Sequence, residues 1–122
     1  MTTTTQSRNL LSAKKKANRE ILRTVPYQEG FHFYMELGKY TGITATSLDE
    51  FAAKLQIIPA DSVAFHFQRG DFQKWFRNIL RDEALAKRFD QLKPWSSQPP
   101  ENLRKKLYIT VQRRLTELRT TA

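Results

Sequence analysis

The arginine and lysine side chains near the two ends of the chain are the residues whose type and spacing most clearly suggest chemistry. Cationic side chains neutralise phosphates and displace condensed counterions, which gives affinity with little reading of base sequence. A solvated helix face would use the same residue types, because charge patterns alone are permissive. Against that alternative, the sequence predicts a nucleic-acid-binding surface. Its candidate residues are Arg8, Lys14, Lys15, Lys16, Arg19, Arg23, Arg104, Lys105, Lys106, Arg113, Arg114 and Arg119.

The positive charge of the chain is concentrated at these two ends. Residues 1–26 contain six basic residues and one acidic residue, and residues 93–122 contain seven basic and two acidic residues. Residues 27–92 are nearly neutral, with eight basic and nine acidic residues, although the whole chain carries a formal charge of +9. A neutral, aromatic-rich centre flanked by basic arms is typical of a folded module that binds an anionic partner.

The two histidines are the other residues that could do chemistry, as metal ligands or in acid–base catalysis. His32 and His66 each lie between two phenylalanines, and neither has a second histidine at the spacing of a helical metal site. Half-buried, hydrogen-bonded histidines with a structural role are the favoured interpretation. The chain contains no cysteine, which excludes disulfides, thiolate zinc sites and cysteine nucleophiles.

The acidic pairs also have structural explanations. The pairs at 49–50 and 82–83 fall in the first turns of predicted helices, where negative charge favours the helix dipole. Residues 69–71 spell the integrin-binding tripeptide, but Gly70 ends one predicted helix and Asp71 caps the next. The four glycines are too scattered to form a phosphate-binding loop. We therefore predict a protein that is not an enzyme and that has no cofactor and no metal.

Two further features bear on location. No apolar run approaches the ~18 residues of a membrane span, and residues 1–10 are polar, without a secretory signal. The basic, hydroxyl-rich start could imitate an organelle transit peptide, although a basic arm is the simpler interpretation. We expect no membrane span and a cytoplasmic location.

Helices at both ends must position the basic residues. Residues 10–23 can form a basic helix with a loose apolar stripe, which Pro26 and Gly30 separate from the centre of the chain. Residues 103–118 repeat apolar side chains at intervals of four and three, with basic residues on the opposite side. The apolar side could dock on the domain's own core, on a partner helix or on a second copy of the chain. It has no Trp or Phe, which weakens an interpretation as a membrane-surface helix.

The centre of the chain shows mainly helical signals. Ser47 and Glu50 form a capping box, and the helix after it ends before Pro59. A short helix is predicted at 60–68, and the apolar spacing of residues 72–80 predicts a helix that packs into a core.

Residues 31–37 are ambiguous, because their aromatic side chains alternate as in a strand but also suit a helical turn. Gly38 and Gly42 mark a loop after them. Asp82 can begin a further helix, and prolines and serines then form a linker.

These elements predict an all-α fold, a compact bundle of four or five short helices with basic helical N- and C-terminal extensions. The predicted parts are a basic N-terminal arm (1–26), a helical core domain (27–93), a Pro/Ser linker (94–100) and a basic amphipathic C-terminal helix (101–122).

Several short motifs succeed one another in the centre of the chain. They are Tyr40-Thr41-Gly42, Ala45-Thr46-Ser47-Leu48-Asp49-Glu50-Phe51, Ser62 with Phe65-His66, and Arg69-Gly70-Asp71-Phe72 with Trp75. Over about residues 31–92, this combination resembles a small prokaryotic domain family of unknown function. The resemblance implies a compact, mostly helical domain and no established activity, cofactor or catalytic residue. His66, Asp71 and Trp75 match recurrent positions of that family, whereas the basic ends lie outside the matched region.

The leading hypothesis is a non-enzymatic binding protein whose terminal arms contact the backbone of DNA or RNA, or a ribonucleoprotein surface. The alternative is a protein–protein adaptor or homo-oligomer. It would use residues 31–37 or the apolar stripe of the C-terminal helix as its interaction surface.

Overall fold

The computed structural model describes the backbone of residues 2–122 and the side chains of residues 8–122. In that range the chain forms six α-helices and one antiparallel β-hairpin. They are α1 (Thr2–Leu22), β1 (Phe31–Glu36), β2 (Lys39–Ala45), α2 (Leu48–Ile57), α3 (Ala60–Arg69), α4 (Asp71–Trp75), α5 (Glu83–Gln91) and α6 (Pro100–Thr120). Single turns of 3₁₀-helix at Tyr27–Glu29 and Lys93–Ser97 and a π-helical turn at Phe76–Leu80 complete the fold.

The β-hairpin corrects the expectation of an all-α bundle, because the fold is a mixture of helices and a small sheet. β1 pairs with β2, with Phe31 opposite Ala45 and Phe33 opposite Ile43. Phe31 and Phe33 are buried in the core, while alternate residues of β1 lie on the other face of the strand. The strand-like alternation of residues 31–37 is therefore the correct one of the two interpretations.

The two glycines expected in a loop lie inside the hairpin. Gly38 has a φ of +76° in the turn between the strands, and Gly42 has a φ of +84° where the register shifts after Phe33. Glycine adopts this left-handed backbone without the steric cost of a side chain. Since a glycine within a strand has the same sequence signature as a loop glycine, the pattern conceals β2.

Most helix ends agree with the predicted signals, although Glu50 of the predicted capping box accepts from the Thr46 N–H and not from that of Ser47. The Ser47 hydroxyl accepts from the Glu50 N–H at 3.1 Å, and the Asp82 carboxylate accepts from the Leu85 N–H at 3.1 Å. Gly70 ends α3 with a φ of +72°, as expected. Asp71 is not a cap, because it is the first residue of α4 and its carboxylate is turned to other partners.

The core is aromatic at its centre, and α6 belongs to it. Phe51 stacks on Trp75 with ring centroids 5.6 Å apart and meets Phe76 edge to face at 5.2 Å. The apolar stripe of α6 is buried against the helices of the same core and consists of Leu103, Leu107, Val111, Leu115 and Leu118. The C-terminal helix therefore docks on the chain's own core and is not an extension from it. The predicted division of the chain into four parts stays a prediction.

Candidate functional site

The N-terminal half of α1 is uncovered by the domain. Every residue from 8 to 17 is exposed, and burial begins only with Asn18 and Ile21. Ten consecutive helical residues point in all directions around the axis, because each residue is rotated about 100° from the last. No side chain of this segment is therefore buried, although Lys14 lines a surface groove beside the end of α6.

Five of the predicted binding residues lie on α1 as exposed cations, and we call them the α1 cations. Among the side chains that the structure describes, none of the five forms an ion pair. Spacings of seven and four residues place Arg8, Lys15 and Arg19 on one side of the helix. The five α1 cations are Arg8, Lys14, Lys15, Lys16 and Arg19.

Arg23, at the end of α1, has a different environment. Its Nη1 donates to the Glu20 carbonyl at 2.7 Å, and its Nη2 donates to the Ile79 carbonyl in the π-helical turn at 2.8 Å. The guanidinium therefore anchors the end of α1 to the domain.

Arg104 is also occupied within the fold. Its side chain is only 13% exposed. Nη1 donates to the Leu55 carbonyl near the end of α2 at 2.7 Å, and Nε donates to the Glu101 carboxylate at 3.1 Å. Arg104 therefore connects α6 to α2, which a spacing pattern in sequence does not indicate.

Arg114 compensates a buried charge. The Asp82 carboxylate is fully buried and accepts from Arg114 Nε at 3.0 and 3.2 Å through its two oxygens. Arg114 Nη1 also donates to Glu117 at 3.2 Å, and Arg88 donates two further bonds to that carboxylate. These guanidinium groups, Arg88 foremost, lower the pKa of Glu117. Arg114 is therefore a structural residue of the α5–α6 contact.

The other basic residues of α6 divide into engaged and unpaired ones. Arg119 forms an ion pair with Asp49 of α2, and Lys106 Nζ lies 5.5 Å from the centre of the Trp95 ring. Two exposed cations of α6 make no ion pair with any described side chain. They are Lys105 and Arg113.

A pocket of about 610 Å³ lies between β1 and helices α3 and α4, and it was not predicted from the sequence. Its walls are mainly apolar, and its lining also includes two cations, Arg69 and Lys74, and the amide of Asn78. The apolar lining includes Phe31, Tyr34, Leu37, Phe65, Trp75 and Ile79. The alternation of residues 31–34 is the sequence signal that could have indicated this pocket. If these residues form a strand, His32 and Tyr34 lie together on the face opposite Phe33.

His66 fastens β1 to the helices at the base of this pocket. Its Nε2 accepts from the Tyr34 N–H at 2.8 Å, so the ring proton must be on Nδ1, which donates to Asp71 at 2.9 Å. Arg69 Nε donates to the same Asp71 oxygen at 3.0 Å. Burial lowers the pKa of His66, with the hydrogen bond to Asp71 opposing that effect.

Both ring nitrogens of His66 are therefore used to hold the backbone and a carboxylate. A general base needs a free nitrogen within reach of a substrate proton, and His66 offers none in this arrangement. His32 is half-buried, with Nδ1 2.7 Å from the Thr44 hydroxyl. The predicted structural role of the histidines fits these contacts.

Within the described residues, no group of three or more His, Asp and Glu side chains is arranged to hold a metal ion. Among the helices of that part of the chain, none combines the length and the apolar character needed to cross a membrane.

The model of a family of unknown function, DUF5752, matches residues 28–122 of this chain. No curated protein and no solved structure matches significantly. The matched span contains the hairpin, the pocket and α2–α6, so the basic C-terminal end, which the sequence resemblance placed outside the family region, lies within it, whereas α1 lies outside.

We expect the stability of the fold to depend on the protonation of His66. The folded state lowers the pKa of His66 below its ordinary 6.5, so the unfolded state binds the proton more readily. This contribution to the free energy of unfolding is complete above pH 6.5 and is lost as the pH falls through the lower pKa of the folded state. The slope is at most about 1.4 kcal/mol per pH unit.

Urea unfolding of the wild type and of His66→Gln between pH 7.5 and 5 measures this effect. The wild type should lose stability over that range, and the variant should show a flatter profile. Parallel profiles would contradict the assignment. Long-range proton–nitrogen NMR spectra should independently show the His66 proton on Nδ1.

The ion pair with Asp82 predicts a large difference between two adjacent arginines of α6. Arg114→Met should lower the free energy of unfolding by about 3–5 kcal/mol, because it leaves a buried carboxylate without its partner. The control Arg113→Met removes an exposed cation and should stay within about 0.5 kcal/mol of the wild type. Equal losses in denaturant unfolding would show that Arg114 is not structural.

Proposed function

The chain belongs to the DUF5752 family of unknown function, and we propose that it is a non-enzymatic protein that binds nucleic-acid phosphates through the α1 cations. The phosphates are those of a DNA or RNA backbone, free or on a ribonucleoprotein surface. The observation that carries the proposal is a ten-residue helical segment, residues 8–17, in which every side chain is exposed and in which the cations form no ion pair with a described side chain.

The distribution of charge supports a polyanion as the partner. Within α1 the cations face water without carboxylate partners among the described side chains, so binding phosphate would cost no internal ion pair. Isolated helical segments of this length are marginal in water, and a bound anionic surface would stabilise one. Lys105 and Arg113 remain candidates for a second contact on α6.

The arginines that anchor the fold are less suitable for this role. Recruiting Arg104 or Arg114 to a phosphate would break its contacts with Glu101 or with the buried Asp82. The proposal therefore concentrates on α1, where Lys and Arg contact the backbone and contribute little reading of base sequence.

A protein partner is the second candidate function, and one observation favours it. Leu10 and Leu11 are 72% and 48% exposed on the same uncovered segment of α1. An apolar pair on a helix surface suits docking against another helix, including α1 of a second copy. The apolar stripe of α6 is buried in the chain's own core, whereas Leu37, in the other predicted surface at residues 31–37, is 76% exposed.

The salt dependence of binding tests the nucleic-acid proposal. The triple variant Lys15→Gln, Lys16→Gln, Arg19→Gln should reduce the slope of log affinity against log salt by about 2.7 for duplex DNA, since each lost phosphate contact contributes about 0.9. Fluorescence anisotropy with mixed duplex DNA and structured RNA, over a salt series, measures the slope.

The matched control is Lys39→Gln, Lys87→Gln, Lys93→Gln, which removes three exposed cations from the family-matched region. It lowers the net charge equally and should leave the slope nearly unchanged. Equal slopes for the two triple variants would count against α1 as the interface. A dimer that persists in high salt, seen by sedimentation and lost in Leu10→Ser, Leu11→Ser, would favour the protein-partner function.

A further inference from the structure

We infer that the pocket beside β1 is a nucleotide site, which takes one unstacked base of a single strand together with its phosphate. The inference rests on the proposed function, because the strand is the one held by the α1 cations. A site for an unstacked base would give the protein a preference for single strands. Contacts between the α1 cations and phosphates alone do not provide that preference.

The size and the walls of the pocket suit a flat aromatic ligand. Its volume of about 610 Å³ is within the usual range of small-molecule sites. Tyr34 and Phe65 are partly exposed aromatic rings in its lining, and Trp75 closes it from the core side. Unstacked bases bind on aromatic rings of this kind, because every base has an apolar face.

The charges of the lining suit a ligand with an anionic group. Arg69 and Lys74 outnumber the one carboxylate in the lining, Asp71, which already accepts from His66 and Arg69. The Arg69 guanidinium lies 5.0 Å from the centre of the Phe65 ring, and none of the described residues accepts from its terminal amino groups. It can therefore donate to a phosphate beside a base stacked on the aromatic wall.

The position of the pocket relative to α1 connects the two sites. Arg23 donates to the Ile79 carbonyl, and Ile79 is part of the pocket wall. Arg19 lies one helical turn before Arg23, about 6 Å along the axis. A strand whose phosphates follow α1 toward this end would reach the pocket. The exposed amide of Asn78 supplies a donor and an acceptor for a base edge there.

Fluorescence of Trp75 reports occupancy of the pocket. In a Trp95→Phe background Trp75 is the only tryptophan, and it lines the pocket. Adenosine monophosphate should quench its emission and bind more tightly than adenosine, which has no phosphate. A single-stranded dA oligonucleotide should quench the emission, and a duplex of the same length should not.

Two substitutions in the pocket separate its charge from its stacking surface. Lys74→Glu should weaken both the mononucleotide and the oligonucleotide by about tenfold, the worth of one charge-assisted hydrogen bond. The control Lys87→Glu makes the same charge change on exposed α5 and should leave mononucleotide binding unchanged. Phe65→Leu keeps apolar volume and should reduce single-strand binding through the loss of the ring. Circular dichroism checks that each variant is folded.

The outcomes distinguish the pocket from the α1 interface. Absence of quenching by the mononucleotide, or equal effects of Lys74→Glu and Lys87→Glu on its binding, would overturn the nucleotide site. If strands still bound with a salt slope that depended on α1, the proposed function would survive that result. A third outcome is that the mononucleotide quenches the emission, Lys74→Glu weakens this binding, and no polymer binds. That result would support the pocket and reject the α1 function.

Discussion

The contact between His66 and the Tyr34 N–H is the interaction on which the arrangement of the hairpin and the pocket depends. A two-stranded sheet is marginal in water by itself. Here the side of β1 that no strand covers donates to a buried imidazole at 2.8 Å, and the tautomer of that imidazole is set by Asp71. One side chain thereby satisfies an edge-strand N–H and fixes β1 against α3. Arg69 and Asp71 lie in the same turn, so the contact that secures the hairpin also places charge beside the pocket.

The formal charge of +9 combines two kinds of cation with different physical roles. The guanidinium groups of Arg23, Arg104 and Arg114 each make several hydrogen bonds to carbonyls or carboxylates inside the fold. Arginine suits this role because its planar group offers five donors and remains charged when partly buried. The lysines of α1 are compact, hydrated charges on flexible stems, which suits contacts with a mobile anionic surface. The predicted binding residues therefore include cations that are unpaired among the described side chains, such as those of α1, and arginines that are committed to the fold.

The sequence predicts those parts of the fold that depend on local signals. Ser47, Gly70 and Asp82 act at helix ends as expected, because caps and left-handed stops involve residues only a few positions apart. The second strand was missed since Gly42 has the signature of a loop residue until its partner strand is known. The pocket and the Asp82–Arg114 pair each involve residues that are distant in sequence. The spacing of residues along the chain does not indicate which basic residue pairs with a buried carboxylate. The division of the cations into anchored and free ones therefore required the structure.

The joint between α1 and the domain determines how the two proposed contacts can act together. Val25 is buried, and its N–H donates to the Thr46 carbonyl at 2.8 Å just after the anchor made by Arg23. Because backbone and side chain are both held, the end of α1 has a set position relative to the pocket wall at Ile79. Two weak contacts at a set separation act on one ligand with a high effective concentration, whereas the same contacts on a slack linker would not. Modest affinity at each site would then suffice, and the joint itself would select strands whose backbone can span both.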